Sequence, residues 1–382
     1  MIRQNIQAHG GKLIIFEKTK ITEKPHFEIT LNDEQIVDLH NIANGTYSPL
    51  TGFLRKDDFL SVLVSMRLTN GIVWPIPIVL DISETDKKQI ELSKQNSILL
   101  KDSSGNKLAI LENIEVYSYS KKDFANYVFK TIEQDHPGVK MVYELKDYLI
   151  GGNIILLDDI NLDLPKYFSP VEIRKIFQDK NWNTVVAFQT RNPPHVSHEY
   201  LQKCALEGCN GLFINPVIGK KKSGDFKDEY ILGAYERLIK NYYKPDSVHL
   251  STLPLTFKYA GPREAVLHAI IRQNFGCTHM IVGRDHAGVG SYYGTYDAQN
   301  IFNNFRDDEL KIKILKYENA GFCNICNTVT TNKTCPHSDS DKMHISGTEV
   351  RRKIQNKEIL PSSFMRKEIS EYLIEGENQF VN

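Results

Sequence analysis

The chain has 382 residues, 41% of them hydrophobic, with 47 basic residues against 47 acidic ones. That length gives two or three domains, each able to bury its own core without staples. A formal net charge of zero offers no general pull toward nucleic acid or anionic membrane, so any anion recognition must be local.

The longest apolar runs, "IVWPIPIVL" and "IILL", fall far short of the ~20 residues a membrane helix needs, and "MIRQNIQAHGGK" lacks a signal-peptide apolar core. The expectation is a soluble, cytoplasmic protein with no membrane and no nucleic-acid partner. Residues 1–165 read as short β-rich segments, "WPIPIVLDI", "SILLK", "KLAILENIEVYSYS" and "GNIILL", separated by glycines and prolines, hence a mostly-β N-terminal domain.

The texture changes at "FSPVEIRKIFQDKNW", where Ser169 can cap a helix, Pro170 suits its first turn and Glu172 completes a capping-box spacing. From Thr184 strands and helices alternate: "TVVAF", "HEYLQKCALEG", "GLFINPV", "DEYILGAYERLIKNYY", "VHLST", "GPREAVLHAIIRQNFG", "HMIVG". This predicts a parallel α/β sheet over a catalytic domain at 166–318, with ligands beyond the carboxyl ends of the strands. The loops "QTRNPPHVSH" and "GRDHAG" both follow such strand ends and are expected to line one crevice.

Arg191 offers a planar fork of donors that matches a tetrahedral oxyanion, and Gln189 adds an amide donor, so the pair suits a small oxyanion such as sulfate. Pro193 and Pro194 stiffen the entry to a helix whose first N–H groups and positive dipole end suit phosphate. His195 and His198, three apart, share a face near that end and suit oxygens of a departing pyrophosphate. A histidine near a helix start is also commonly a capped or solvated one. In "GRDHAG", Gly283 lets a backbone approach a ligand, while Arg284, Asp285 and His286 supply charge and hydrogen bonds or simply brace the loop.

Residues 319–382 form a small C-terminal domain with "CNICNTVTTNKTCPHSDSDKMH", then "ISGTEVRRKIQ", then an amphipathic "FMRKEISEYLIEG". Two residues separate Cys323 from Cys326, eight separate Cys326 from Cys335, and one separates Cys335 from His337. Three thiolates and an imidazole suit tetrahedral Zn2+ with no open position, hence a structural metal. His344 is the alternative fourth ligand, and a set of free buried thiols or an iron–sulfur cluster is the alternative to zinc.

These motifs resemble the sulfate adenylyltransferase (ATP sulfurylase) family. "QTRNPPHVSHE" is similar to its Gln-X-Arg-Asn-Pro-X-His-X-X-His signature, "GRDHAGVGSYYG" to its second loop and "ISGTEVR" to a downstream element. "GTYSPLTGFL", "DHPGV" and "GPREAVLHAIIRQN" agree as well.

The resemblance implies a PUA-like N-terminal domain, a Rossmann-like nucleotidyltransferase domain with parallel sheet and a zinc-bearing C-terminal segment. It implies that Gln189, Arg191 and the backbone at Ala287 hold sulfate. Thr190, Asn192, Gly283, Arg284, Asp285 and His286 would surround ATP, and His195 and His198 would contact its phosphates. Gln189, Arg191, His195, His198 and Arg284 are the expected catalytic set. The implied reaction uses Mg2+ with ATP and yields adenosine 5'-phosphosulfate and pyrophosphate in a homodimer. No Walker-type loop follows, so the single-function form without a fused adenylylsulfate kinase is expected.

Two rival readings remain. One is a related adenylyltransferase with another acceptor, against which Gln189 and Arg191 argue. The other is a zinc-knuckle RNA-binding protein, against which the neutral charge argues.

Overall fold

The computed structural model describes residues 6–20, 25, 27–221, 223–343, 345 and 347–381. The N-terminal half is built on one mixed sheet of β1 (Glu28–Thr30), β2 (Gly52–Phe53), β3 (Leu80–Ile82), β4 (Ser97–Lys101), β5 (Lys107–Ser118) and β6 (Tyr148–Leu156). β4, β5 and β6 form an antiparallel meander, β1 adds in parallel to β4, and β2 and β3 both pair with β6.

The β-rich reading holds for this sheet, but five helices that it did not pick out surround it: α1 (Asp33–Ala43), α2 (Lys56–Ser65), α3 (Glu84–Ser93), α4 (Lys121–Phe129) and α5 (Pro137–Glu144). Their starts are locally coded. Asn32 and Ser83 close capping boxes, and His136 caps α5 by accepting the amides of Gly138 and Val139 on Nδ1.

The second half opens with α6 (Pro170–Asp179), capped by Ser169 with Glu172 reaching back as the spacing predicts. Then follow β7 (Val185–Thr190), α7 (Val196–Leu206), β8 (Gly211–Ile218), α8 (Asp228–Tyr242), β9 (Val248–Leu250), β10 (Leu253–Pro254), α9 (Pro262–Asn274), β11 (His279–Val282), the short α10 (Asp297–Asn300) and β12 (Lys313–Lys316). The sheet order is β10-β8-β7-β11-β12, with β9 also on β8 and every pairing parallel. The chain leaves β7 toward β8 on one side and returns at β11 on the other. The carboxyl ends of β7 and β11 therefore flank the switch point where open α/β sheets bind ligands.

Strand alternation sorts β7 between two cores. Val185 and Ala187 join a core with α6 and α9 that is continuous with the N-terminal half, while Val186 and Phe188 join one with α8 and the C-terminal helices. α9 is buried on every side, from Arg263 to Asn274. It sits between the halves: Arg263 donates to the carbonyls of Val62, Leu63 and Pro75, and Asn274 to those of Thr46 and Ser48. Those bonds satisfy polar groups that burial would otherwise leave costly.

The last segment forms the antiparallel hairpin β13 (Ala320–Cys323) and β14 (Thr328–Thr331), followed by α11 (Gly347–Gln355) and α12 (Lys367–Glu375). The hairpin packs on α7, and α12 packs on α8.

Candidate active site

Strand parity aims the first motif. Gln189 and Arg191 continue the face of Val185 and Ala187, toward α9, and Thr190 continues the opposite face. Arg191 lies with its guanidinium carbon 4.9 Å from the centre of the Phe257 ring and hydrogen-bonds the Tyr259 side chain. Both aromatics belong to the 255–261 segment that leads into α9, and neither stood out in the sequence, because an aromatic beside a lysine carries no charge signal.

The Gln189 Oε1 is buried without a hydrogen-bond partner among the described residues. Rotating the amide exchanges that acceptor for the Nε2 donor, so the group is free to serve an anion beside Arg191. Arg191 also lines an open cleft with Gly219, Lys220, Lys221 and Tyr259.

Thr190 organises the turn: its hydroxyl donates to the Asn192 carbonyl at 3.0 Å and accepts the Asn192 amide at 3.2 Å. Pro193 and Pro194 are buried, and α7 begins after His195. The first α7 amide, of Val196, donates to the Phe364 carbonyl at 2.9 Å, so the helix end offers the amides of Ser197 and His198 and not three free donors.

His195 and His198 are brought together. Their ring centres stand 3.7 Å apart at 27°, with Phe364 stacked on the far face of His195 and Phe188 edge-on to His198. Neither Nδ1 has a partner among the described residues. Burial pushes His195 down to about 4 and His198 well below its ordinary value, His198 further through His195 beside it. Both rings are neutral at pH 7 in the free protein.

α7 is held from the C-terminal segment. Arg366 makes two 2.9 Å hydrogen bonds to the carboxylate of Glu199, which is 4% exposed, and Lys203 adds a third at 2.6 Å. The sequence reading missed this clamp because the partners are 167 residues apart.

The second motif follows β11. The register Met280 to Ala187, carried forward, sets Gly283 beside Thr190. A Cβ at Gly283 would meet nothing within 4 Å and its φ is not left-handed, so the fold itself does not require glycine there. At Gly288 a Cβ would sit 1.9 Å from Asp285 Oδ1, so the Asp285 side chain would have to move.

Asp285 and Ala287 have positive φ of 54° and 58°, and the Asp285 amide donates to the Thr295 carbonyl at 2.9 Å. Burial raises the Asp285 carboxyl, an effect that Arg284 opposes. Arg284 is exposed. His286 engages Nε2 with His268 Nδ1 at 3.1 Å; burial and the buried Arg272 hold it down to about 4.

The lysines of "PVIGKKKSGD" form no phosphate cradle among the described residues: Lys220 pairs with Glu34 at 3.0 Å and Lys221 with Asp228 at 2.6 Å. The structure joins the third element to this region, where Arg351 lies 3.5 Å from Asp225.

The cysteine cluster assembles as the spacing implies. Cys326 Sγ lies 3.7 Å from Cys335 Sγ, and His337 Nδ1 lies 3.5, 3.2 and 3.5 Å from the sulfurs of Cys323, Cys326 and Cys335. Ligands about 2.0 to 2.3 Å from one ion stand roughly 3.5 to 3.8 Å apart at tetrahedral corners. These four donors therefore fit a single metal ion. His344, the alternative ligand, lies outside the described residues.

Among the described residues, no helix is long and apolar enough to cross a membrane. Comparisons with known proteins identify the family. The family described as ATP-sulfurylase matches residues 166–376, and the one described as PUA-like domain matches residues 6–159. Similar relatives include the sulfate adenylyltransferases of Thermococcus onnurineus, 46% identical, and Ignicoccus hospitalis, 45% identical, each covering 98% of this chain and 99% of its own. That of Microcystis aeruginosa is 44% identical over 98% of both chains.

A solved structure, the hexameric APS kinase from Thiobacillus denitrificans, shares the fold with a TM-score of 0.70 at 20% identity, over 96% of this chain and 68% of that one. With its signature turn at the switch point and near-full-length relatives at this identity, the chain belongs to the ATP-sulfurylase family and is a sulfate adenylyltransferase.

Proposed function

We propose that the turn from β7 to α7 divides the two reactants of this enzyme. Gln189 and Arg191, with the Ala287 backbone, take sulfate, and the α7 start with His195 and His198 takes the phosphates of ATP. The reaction is attack of a sulfate oxygen on the α-phosphorus of ATP, giving adenosine 5'-phosphosulfate and pyrophosphate. Sulfate is already ionised, so no general base is needed. Catalysis consists of aligning two anions that repel one another and stabilising charge on the leaving pyrophosphate.

The observation that carries this reading is the set of unpartnered polar atoms at the switch point: Gln189 Oε1 and the Nδ1 atoms of His195 and His198. Buried polar groups are ordinarily hydrogen-bonded, and these three lack partners among the described residues. A polyanion beside the two imidazoles favours their charged form and supplies partners at once.

Thr190, Asn192, Gly283, Arg284, Asp285 and His286 are assigned to ATP. For His286 the engagement of Nε2 by His268 leaves Nδ1 for that role. Arg284, exposed on its loop, is assigned to the phosphates. Mg2+ is assigned to the nucleotide, with waters and phosphate oxygens as its remaining ligands, and when bound it draws charge from those oxygens.

Zn2+ is assigned to Cys323, Cys326, Cys335 and His337 as a closed structural site. We carry domain limits of 1–165, 166–318 and 319–382 and a homodimer as part of this reading, with the cytoplasm favoured by ATP as substrate and by thiolate ligands. The deciding experiment measures sulfate-dependent pyrophosphate release from Mg-ATP in wild type and Arg191→Ala. Release that needs sulfate but not Arg191 defeats the sulfate-pocket assignment.

A further inference from the structure

We infer that the N-terminal half tunes the sulfate pocket through a clamp on residues 255–261, in which Tyr293 and His136 act as positioning residues for Arg191. The inference rests on the reading of Arg191 as a sulfate ligand.

Arg191 is held by Phe257 and Tyr259, so its aim depends on the shape of the 255–261 segment. That shape is not one the chain adopts by itself: Tyr259 has φ of 58°, in the left-handed region that bulky residues avoid. Something must hold it there.

Inside the catalytic half, the buried carboxylate of Glu264 accepts the amides of Lys258 and Ala260, both at 3.0 Å. The peptide between them is gripped from the other side. The Tyr293 hydroxyl donates to the Tyr259 carbonyl at 3.0 Å and lies 3.1 Å from His136 Nε2. His136 Nδ1 accepts the amides of Gly138 and Val139, which puts the ring proton on Nε2. The bonds therefore run in one direction, from the α5 amides to His136, to Tyr293, to the Tyr259 carbonyl.

Two further contacts come from the N-terminal half. A Cβ on Gly138 would stand 2.4 Å from the Lys258 carbonyl oxygen, so the start of α5 lies directly against the segment. Lys258 Nζ reaches Asp38 of α1 at 3.5 Å, and Asp38 also accepts the Tyr47 hydroxyl at 3.1 Å. "DHPGV" thus does more than turn the chain: it reaches the second-loop residue Tyr293 and, through it, the backbone under Arg191.

If the clamp served packing alone, loosening it would lower stability and leave the two substrates equally affected. If it aims Arg191, sulfate alone should suffer. Initial rates are measured against sulfate at saturating Mg-ATP, and against ATP at saturating sulfate, for wild type, Tyr293→Phe, His136→Asn, Arg191→Lys and the Tyr293→Phe/Arg191→Lys double variant.

Asparagine keeps the α5 cap while losing the reach to Tyr293. Tyr293→Phe and His136→Asn are expected to raise the sulfate KM roughly 3- to 10-fold, the loss of one hydrogen bond, with the ATP KM unchanged and the protein folded. In the Arg191→Lys background the Tyr293 change is expected to add nothing, because the group it aims is gone.

Equal rises for both substrates, or an unchanged sulfate KM in the folded Tyr293 and His136 variants, overturn the clamp. An unchanged sulfate KM in Arg191→Lys overturns the sulfate assignment instead. Should Tyr293→Phe fail to fold, His136→Asn decides by the same split.

Discussion

The rings of His195 and His198 are stacked 3.7 Å apart, and neither Nδ1 has a partner among the described residues. Two imidazolium ions at that separation would repel strongly, and burial already disfavours the charge on each. The pair is therefore neutral in the free protein, and under the proposed function the phosphates of ATP would favour its charged form.

Proton uptake on nucleotide binding follows from this. Isothermal calorimetry of ATP binding near pH 6, in buffers of different ionisation enthalpy, should report protons taken up, and His195→Ala should reduce the number. Equal heats across buffers would contradict the assignment of these histidines to phosphates.

The same shift fixes the sign of one pH effect on stability. The folded-state value of His195, about 4, lies below its ordinary 6.5, so the unfolded chain binds more protons between those limits. The buried neutral ring thus contributes stability above about pH 6.5 that is lost as pH falls from 6.5 through 4. His40, His249 and His286 are each lowered to about 4 and add in the same direction. Melting temperature should fall steadily from pH 7 to 5, and less steeply in His195→Gln.

Arg191→Ala should lower turnover by about 100-fold or more while leaving a folded protein, because it removes a donor from the proposed sulfate pocket. Arg191→Lys should recover little, since an ammonium cannot reproduce the bidentate fork. Steady-state rates and thermal melts on both variants check this.

Arg366→Ala removes the two hydrogen bonds that hold buried Glu199. Arg366 is itself two-fifths exposed and Lys203 remains, so the loss should be modest, about 1 to 2 kcal/mol of stability. Because α7 carries both histidines, kcat should fall as well. Urea denaturation and rates together test it, and a wild-type kcat would show that α7 needs no such clamp.

Gly283→Ala separates folding from binding. The added methyl meets nothing within 4 Å among the described residues, so stability should stay within about 1 kcal/mol of wild type. If the open space is reserved for nucleotide, the ATP KM should rise at least about fivefold. An unchanged KM would mean that ATP does not approach this backbone.

Metal analysis should find close to one zinc per chain, and stripping it should lower the melting temperature. The β13–β14 hairpin packs on α7, so metal loss should also slow turnover. Cys335→Ser should reproduce both effects, and less than about half an equivalent of zinc in unchelated wild type would count against the site.

The sequence by itself determined much of this protein. Capping boxes at Ser169, the alternation of β7 and the Cys/His spacing are consequences of covalent geometry over a few residues, so they are legible in one dimension. The same holds for Gln189, Arg191, His195 and His198, whose chemical types in that order already suggest an oxyanion beside a polyphosphate.

The tertiary structure decided what surrounds them. That α9 is buried on every side between the two halves, that Phe257 and Tyr259 receive Arg191, and that Phe364 and Arg366 fix α7 depend on contacts between distant segments. Such contacts are selected by packing both faces of a sheet at once, a constraint of dense interiors that no local pattern records. The helices around the N-terminal sheet were missed although Asn32 and Ser83 close capping boxes, because their amphipathic faces are short and acquire meaning only against the sheet they cover.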